Sequence, residues 1–198
     1  GGATTNGIAE ALSIRPASVT GMLKKLTELN LTRHTPYQGV TLTKPGEKVA
    51  LEVVRHHRLI ELFLVETLGY AWDEVHIEAD RLEHAISEDF EERMAARLGN
   101  PTVDPHGDPI PGRDGSMTAE QQLRLIDLPC GRSAHITRVS DAHPDMLRYA
   151  AGLGLRPQAR ITLLDAEPFG GSLRVRAGKV EHSIGRELAA HIYVSQES

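Results

Sequence analysis

Apolar residues recur every three or four positions near the start of the chain, in a short run that ends at Leu12 and a longer run that begins at Val19. This period predicts two amphipathic helices. Ser13 and Ile14, which lie between them, fit a tight turn, and Pro16 fits the first turn of the second helix, where its missing N–H breaks no hydrogen bond. A short helix, a tight turn and a longer helix together predict a helix-turn-helix.

Two strand-like stretches follow at residues 31–35 and 40–43, with Pro36 to Gly39 as the turn between them. A helix-turn-helix with such a wing places its second helix in the major groove of DNA. Basic side chains on that helix would contact phosphates, and hydroxyl groups would reach phosphates or base edges. The candidate DNA contacts are Arg15, Pro16, Ser18, Thr20, Lys24 and Lys25. The alternative is a helical hairpin that contacts another protein.

Helical periodicity resumes in two longer stretches, residues 46–69 and 73–98. Residues three or four apart share one face of a helix. This spacing groups ligand-type side chains on both stretches: His57 and Glu61 on the first, and His76, Asp80, Glu83 and His84 on the second. Antiparallel packing of the two helices would bring the six groups together. The second stretch also has apolar positions at Leu82, Ile86 and Phe90.

The six candidate ligands are imidazoles and carboxylates, with no thiol among them. Nitrogen and oxygen donors suit Mn²⁺ and Fe²⁺, and zinc, cobalt and cadmium also bind such sets. Each residue alone has an ordinary structural explanation, such as an ion pair between Glu83 and Arg81 or Arg97. The six together, at matched spacing on adjacent helices, indicate a site for one or two divalent ions. His106 lies in a stretch rich in proline and glycine, which predicts an exposed side chain.

The pattern changes again after residues 101–118, where proline, glycine and aspartate predominate and predict a linker. A short helix from Pro144 to Ala151 and five short strands follow, which predict a small β-barrel. The strands are expected at residues 123–125, 134–139, 160–164, 172–176 and 192–195. The predicted fold is thus mainly α with a small β domain: a winged helix-turn-helix over residues 1–50, a helical metal-binding and dimerisation domain over 51–116, and the barrel over 117–198.

The charge along the chain agrees with this division. Residues 1–50 carry six Lys or Arg and three Asp or Glu, residues 51–116 carry six and fifteen, and residues 117–198 carry ten and nine. A basic first segment suits a polyanion, and an acidic middle suits cations. The single cysteine, Cys130, excludes an internal disulfide and fits a reducing compartment. Because no apolar run approaches the roughly 20 residues of a membrane helix, we expect a cytoplasmic protein without a membrane partner.

Four stretches carry a resemblance to a known family: IAEALSIRPASVTGMLKKL, LTKPGEKVALEVVRHHRLIELFL, VHIEADRLEHAIS and HGDPIPG. The chain resembles the diphtheria toxin repressor and manganese transport regulator family over nearly its whole length. Its last domain resembles the FeoA-type, SH3-like barrel of the longer members. A winged helix normally has one more helix in front, which closes its core, so we expect the first helix of this fold to be absent from the sequence.

The resemblance implies a homodimeric, metal-activated transcriptional repressor that binds double-stranded operator DNA and controls metal homeostasis genes. The apolar positions of the second long helical stretch would supply the contact in this homodimer. A carboxylate at Asp80, where iron-responding members carry cysteine, favours Mn²⁺ over Fe²⁺. The resemblance also implies two metal sites, the second completed by a ligand from the first helix. One consists of His57, Glu61 and His76, and the other of Asp80, Glu83 and His84.

In some members of the family the short helix of the barrel adds ligands to the first site. The corresponding stretch here, HPDMLRYA, has Met146 and Tyr149 at those positions, which leaves Asp145 or His143 as substitutes. Three other functions compete with a manganese-responsive repressor. They are an iron-responsive repressor of the same family, a metal-independent winged-helix regulator, and a dinuclear metallohydrolase, since such clusters can activate water. The sequence offers no separate nucleophile or oxyanion group, so we do not expect an enzyme.

Overall fold

The computed structural model describes residues 2–35, 38–117 and 122–196. The chain divides into two compact units, Gly1–Val54 and Arg55–Ser198. Helix α3 (Lys44–Leu68) begins in the first unit and continues into the second. Over the described ranges, no helix is both long and apolar enough to cross a membrane.

The first unit contains the predicted helix-turn-helix and wing. It consists of α1 (Thr5–Ala11), α2 (Pro16–Glu28) and the antiparallel strands β1 (Thr32–Thr35) and β2 (Gly39–Leu42). Pro16 occupies the first turn of α2, as predicted, and Val19 is buried. A Cβ atom on Gly46 would lie 1.9 Å from the carbonyl oxygen of Leu31, so the start of α3 packs closely on the entry to the wing. Pro36 and Tyr37 of the predicted turn lie outside the described residues.

The predicted single helix over residues 73–98 is wrong, because the chain forms two helices there, α4 (Val75–Leu82) and α5 (Glu88–Arg97). Ser87 separates them: its backbone is extended, and its hydroxyl accepts a hydrogen bond from the N–H of Phe90. Serine is a strong N-cap because it satisfies an N–H that has no partner within the helix. Apolar side chains of α3, α4 and α5 pack together in one core cluster that includes Leu59, Val75 and Met94.

The last part of the second unit is an antiparallel sheet in the order β3-β8-β4-β5-β6-β7. Alternate residues of its strands enclose a core that includes Ile136, Ile161 and Val194. The elements are β3 (Leu123–Arg124), β4 (Ser133–Val139), α6 (Pro144–Gly152), β5 (Arg160–Ala166), β6 (Leu173–Ala177), β7 (Val180–Ile184), α7 (Arg186–Ala190) and β8 (Ile192–Gln196). The sequence did not predict β7 or α7. Strand β7 buries one apolar residue, Ile184, so it lacks an alternating pattern.

The predicted linker is packed against the sheet rather than free. Gly107 has a φ of +90°, and a Cβ atom there would lie 1.9 Å from the carbonyl oxygen of Thr137 on β4. The N–H of Val139 donates to the carbonyl of His106 at 2.9 Å. Asp104 accepts hydrogen bonds from the N–H groups of His106 and Asp108, which closes the turn. His106 is fully buried, so the prediction of an exposed side chain is wrong.

Candidate metal centre

Helices α3 and α4 bring their predicted ligands together. His57 and Glu61 lie one turn apart on α3, with 3.0 Å between His57 Nε2 and Glu61 Oε1. His76 projects from the start of α4, and its Nδ1 atom lies 3.0 Å from His57 Nε2 and 3.2 Å from Glu61 Oε1. The histidine rings meet edge to face, with their centroids 4.7 Å apart. The helical spacing in the sequence therefore produces one cluster of nitrogen and oxygen donors.

Two of the other three predicted ligands contact the second nitrogen of the His57 ring. Glu83 Oε2 lies 2.7 Å from His57 Nδ1, and Asp80 Oδ1 lies 3.4 Å from the same nitrogen. His84 is 71% exposed, and its Nε2 atom lies 3.2 Å from Glu83 Oε1. The structure thus gathers four of the other five predicted residues around His57 and leaves His84 at the margin, in contact with Glu83.

Two further residues join this cluster from outside the helices. Glu61 Oε2 faces His106 Nδ1 at 3.7 Å, and Asp141, which follows strand β4, has its Oδ2 atom 3.8 Å from His76 Nδ1. Within the described part of the chain, two groups of three residues have ligand atoms that all lie within 4.8 Å of one another. They are His57, His76 and Asp80, and Glu61, His106 and Asp141.

The sequence analysis did not identify His106 or Asp141 as candidate ligands. Asp145, one of the suggested substitutes, is 93% exposed and pairs with Arg148, while His143 packs edge to face against His191. Among the described residues of the sheet domain, Asp141 reaches the cluster instead. A local signal did exist for His106, since Asp104-x-His106-x-Asp108 places three polar residues at alternate positions of a tight turn.

Trp72 holds the His106 ring in place. The backbone carbonyl of Trp72 lies 2.6 Å from His106 Nε2 and accepts its hydrogen, and the two rings stack with centroids 5.5 Å apart. When one ring nitrogen of a histidine donates to a carbonyl, the other is left with a lone pair for a metal ion. The Nδ1 atom, which faces Glu61, is therefore the nitrogen that can bind a metal ion once the ring is neutral. An ion pair between Arg138 and Asp108, 2.8 Å long, fixes the same segment to β4.

The cluster shifts the pKa values of its members strongly. Burial lowers the pKa of His57, but the carboxylates of Glu61 and Glu83 outweigh it and raise this pKa to about 9. Burial also lowers the pKa of His106, but the neighbouring Glu61 carboxylate outweighs burial and raises this pKa to about 9. Burial raises the pKa of Glu61, but the His106, His57 and His76 rings bring it well below its usual range. Glu61 is therefore a carboxylate surrounded by cationic imidazoles.

Two buried atoms without hydrogen-bond partners are consistent with a metal ion at this place. Glu61 Oε2 and His106 Nδ1 are both fully buried, and neither has a hydrogen-bond partner among the described residues. A buried polar atom without a partner is costly, so such atoms usually mark a missing water or ion. Imidazole nitrogens and carboxylate oxygens converge on the same space, which is the donor set of a divalent cation.

The proposed DNA contacts in the first unit are exposed to solvent. These residues are Arg15, Pro16, Ser18, Thr20, Lys24 and Lys25. The Thr20 hydroxyl donates to the carbonyl of Pro16 at 3.1 Å, which leaves its oxygen free to accept. A Cβ atom on Gly21 would meet open space, so the exposed face of α2 is smooth at this position. The face presents basic and hydroxyl groups along one side of α2.

Comparison with known proteins identifies the family. Residues 1–40 match the iron dependent repressor N-terminal DNA binding domain, residues 43–112 its metal binding and dimerisation domain, and residues 123–196 the FeoA domain. The chain is 33% identical to the iron-dependent repressor IdeR of Mycobacterium leprae, across 96% of this chain and 87% of that protein. The chain belongs to the iron-dependent repressor family.

Solved structures of similar proteins include manganese-dependent members of this family. A manganese-dependent transcriptional repressor in complex with manganese is 39% identical, with a TM-score of 0.90 over 98% of this chain and 91% of that one. ScaR with bound Cd²⁺ is 34% identical, with a TM-score of 0.82 over 98% and 92% of the two chains. The predicted fold class and the resemblance to this repressor family are confirmed.

Proposed function

We propose that this iron-dependent repressor family member is a manganese-responsive transcriptional repressor, which binds double-stranded operator DNA as a homodimer. The proposal of manganese rests on the ligands of the helical cluster. Its donors are nitrogen and oxygen, Asp80 supplies a carboxylate on α4, and the one cysteine, Cys130, is exposed in the sheet domain. Hard oxygen donors suit Mn²⁺, whereas a thiolate would favour softer metals.

Eight residues form the proposed metal site, six predicted from the sequence and two added by the structure. His57, Glu61, His76, Asp80, Glu83 and His84 come from α3, α4 and the turn after α4, while His106 and Asp141 come from the packed segment and the sheet domain. A bound cation supplies positive charge among carboxylates that histidine protons otherwise neutralise. The chain's own residues orient the donors: Trp72 fixes His106, and Glu61 faces both groups.

The proposed division of labour follows the predicted boundaries. Residues 1–50 read DNA and residues 51–116 bind metal and dimerise, while the last domain, predicted over residues 117–198, contributes Asp141. Lys24 and Lys25 contact phosphates, whereas Ser18 and Thr20 are placed for phosphates or base edges. Two recognition helices in a dimer match half-sites about one helical turn, or a multiple, apart.

Exposed apolar side chains on α4 and α5 support the proposed homodimer. Ile77, Leu82 and Phe90 are 59%, 36% and 48% exposed, whereas Ile86, which was also predicted for this contact, packs against the helical core. We take the three exposed residues as the proposed dimer face, because large apolar side chains left exposed often mark an interaction site. A second copy that buries this face places the interface beside the proposed ligands on α4. Metal binding can then raise DNA affinity, and linkage requires DNA to raise metal affinity by the same factor.

The test begins by selecting tightly bound duplexes from a random library with the protein and Mn²⁺. Binding of the selected duplex is then titrated with Mn²⁺, Fe²⁺ under argon, Zn²⁺ and a chelator. We expect tight binding with Mn²⁺ and at least tenfold weaker binding with chelator. Asp80→Cys should shift the preference toward Fe²⁺ or Zn²⁺, and Asp80→Ala with Glu83→Ala should abolish the response. Metal-dependent binding that survives the double substitution would contradict the proposed site.

Iron is the second candidate, because a curated relative of high coverage is the iron-dependent repressor IdeR of Mycobacterium leprae. The same titration separates the two metals. Stronger DNA binding with Fe²⁺ than with Mn²⁺ at equal free-ion concentration would assign the protein to iron. The Asp80→Cys variant then serves as the internal comparison, since it adds the thiol that the wild-type cluster lacks.

A further inference from the structure

A second buried polar network lies directly behind the proposed metal site. His56 and Glu91 are 7% and 4% exposed, and Arg55 joins them. Glu91 Oε1 accepts a hydrogen bond from Arg55 Nε at 2.6 Å, and its Oε2 atom lies 3.1 Å from His56 Nε2. Arg55 also donates to the carbonyl of Pro111 at 2.7 Å. Charged groups are rarely buried in this way unless they are paired, so the three side chains act as a unit.

The network ends on a proposed metal ligand. His56 Nδ1 lies 3.2 Å from the backbone carbonyl oxygen of Glu83, which can only accept, so the ring donates there. Glu83 is the C-cap of α4, and the carbonyl groups at the end of a helix have no partner within it. His56 therefore supplies a hydrogen bond that the helix cannot make for itself. The side chain of the same residue reaches His57 Nδ1 at 2.7 Å.

Adjacent residues on α3 thus contact the two ends of Glu83. His57 meets its carboxylate, and His56, about 100° further around the helix, meets its backbone. Glu91 orients the His56 ring from α5, next to the exposed Phe90. Groups that orient a metal ligand typically change metal affinity 10- to 100-fold when they are removed.

We propose that His56, oriented by Glu91 and Arg55, is a positioning residue that fixes the end of α4 so that the Glu83 carboxylate points into the metal site. This inference rests on the proposed function, because it takes Glu83 to be a ligand. The network also connects the metal site with α5, the helix that carries part of the proposed dimer face. His56 itself does not touch the ion.

Two nearly isosteric substitutions separate the two contacts of the ring. The amide of His56→Asn lies where Nδ1 lies and keeps the hydrogen bond to the Glu83 carbonyl. The amide of His56→Gln lies where Nε2 lies and keeps the contact with Glu91. His56→Leu removes both. Leu59→Ala, which removes a fully buried apolar side chain from the same helix, is the control for general loss of stability.

Mn²⁺ binding to the full chain is followed by electron paramagnetic resonance, with thermal melting of each variant alongside. We expect His56→Leu and His56→Gln to weaken Mn²⁺ binding 10- to 100-fold at the ligands around His57, which include Asp80 and Glu83. His56→Asn should stay within threefold of wild type. Binding at Glu61, His106 and Asp141 should change less than threefold. Leu59→Ala should lower the melting temperature and should change Mn²⁺ affinity by the same factor at both groups of ligands. In the metal-free protein, His56→Leu should speed amide hydrogen exchange over residues 80–87.

Glu83→Gln distinguishes the possible failures. If Glu83→Gln binds Mn²⁺ as tightly as wild type, the proposed ligand set is wrong and the positioning role falls with it. If Glu83→Gln weakens binding but His56→Leu does not, the ligand set stands and the positioning role is overturned. If His56→Leu weakens Mn²⁺ binding equally at both groups of ligands, and Leu59→Ala does the same, the effect of His56 is purely structural. That result would also overturn the positioning role.

Discussion

Metal binding by this centre should release protons. His57 and His106 each have a pKa of about 9 in the metal-free protein. Burial lowers both pKa values, but the Glu61 carboxylate, which both rings face, helps to raise them above the usual histidine value. A histidine binds metal only as a neutral imidazole. With a pKa near 9, roughly one ring in a hundred is neutral at pH 7. Each histidine that becomes a ligand therefore has to lose a proton at neutral pH.

The magnitude follows from those two pKa values. Apparent affinity should rise about tenfold per pH unit for each histidine that an ion takes, up to pH 9, and level off above it. The stability of the metal-free protein should change with pH in the opposite direction. A histidine whose folded pKa is raised stabilises the folded state fully below about pH 6.5, and this contribution is lost as pH rises through about 9. Raising the pH should thus weaken the metal-free fold while tightening metal binding.

Isothermal titration calorimetry in buffers of different ionisation enthalpy counts the released protons. Mn²⁺ is titrated under argon at pH 6.5, 7.5 and 8.5. We expect at least about one proton per bound ion at pH 7.5, since His57 and His106 belong to different groups of ligands, and His76, whose pKa its hydrogen bond to Glu61 also raises, can add a second proton in the group of His57. His34→Gln, in the wing, is the control and should leave the count unchanged. Affinity that is independent of pH across this range would refute the reasoning, because it would mean that the histidines are neutral before the metal arrives.

Three further predictions concern the packed segment, the DNA face and the dimer. Gly107→Ala should lower the free energy of unfolding by at least about 2 kcal/mol in urea denaturation and should weaken metal binding. The added Cβ atom would collide with the carbonyl of Thr137, and the positive φ at this position is one that alanine rarely adopts. Lys24→Ala and Lys25→Ala should each reduce the slope of log affinity against log salt concentration by about 1 in DNA titrations. Phe90→Asp should shift sedimentation in ultracentrifugation from dimer to monomer, since it puts a charge in the proposed interface.

The helical part of the site could be predicted because its geometry is local. His57 and Glu61 lie four residues apart, as do His76 and Asp80, and a helix places such pairs on one face whatever surrounds it. The apolar positions of α3 and α4 then turn those faces toward each other. Periodicity alone was therefore enough to propose that the four side chains meet, and the structure brings them within hydrogen-bonding or ion-pairing distance.

The contributions of His106 and Asp141 could not be predicted in the same way. His106 enters the cluster because Gly107 lets the chain approach β4 at a positive φ, and Asp141 enters because β4 ends beside α4. Both depend on how the sheet packs on the helices, which local spacing does not encode. A proline- and glycine-rich stretch resembles a solvent-exposed linker, and only the buried hydrogen bonds of Asp104 distinguish this one.

His56 shows the limit of arguing from one helical face. It lies next to His57 in the chain but on a different face of α3, and it does not belong to either group of candidate ligands among the described residues. A helix packed between two partners, however, has two buried faces, and polar residues on each need partners. Here one face of α3 meets α4 through His57, and the next meets α5 through His56 and Glu91. Because both faces converge on Glu83, changes at the ligands and at the proposed dimer helix are coupled through one residue.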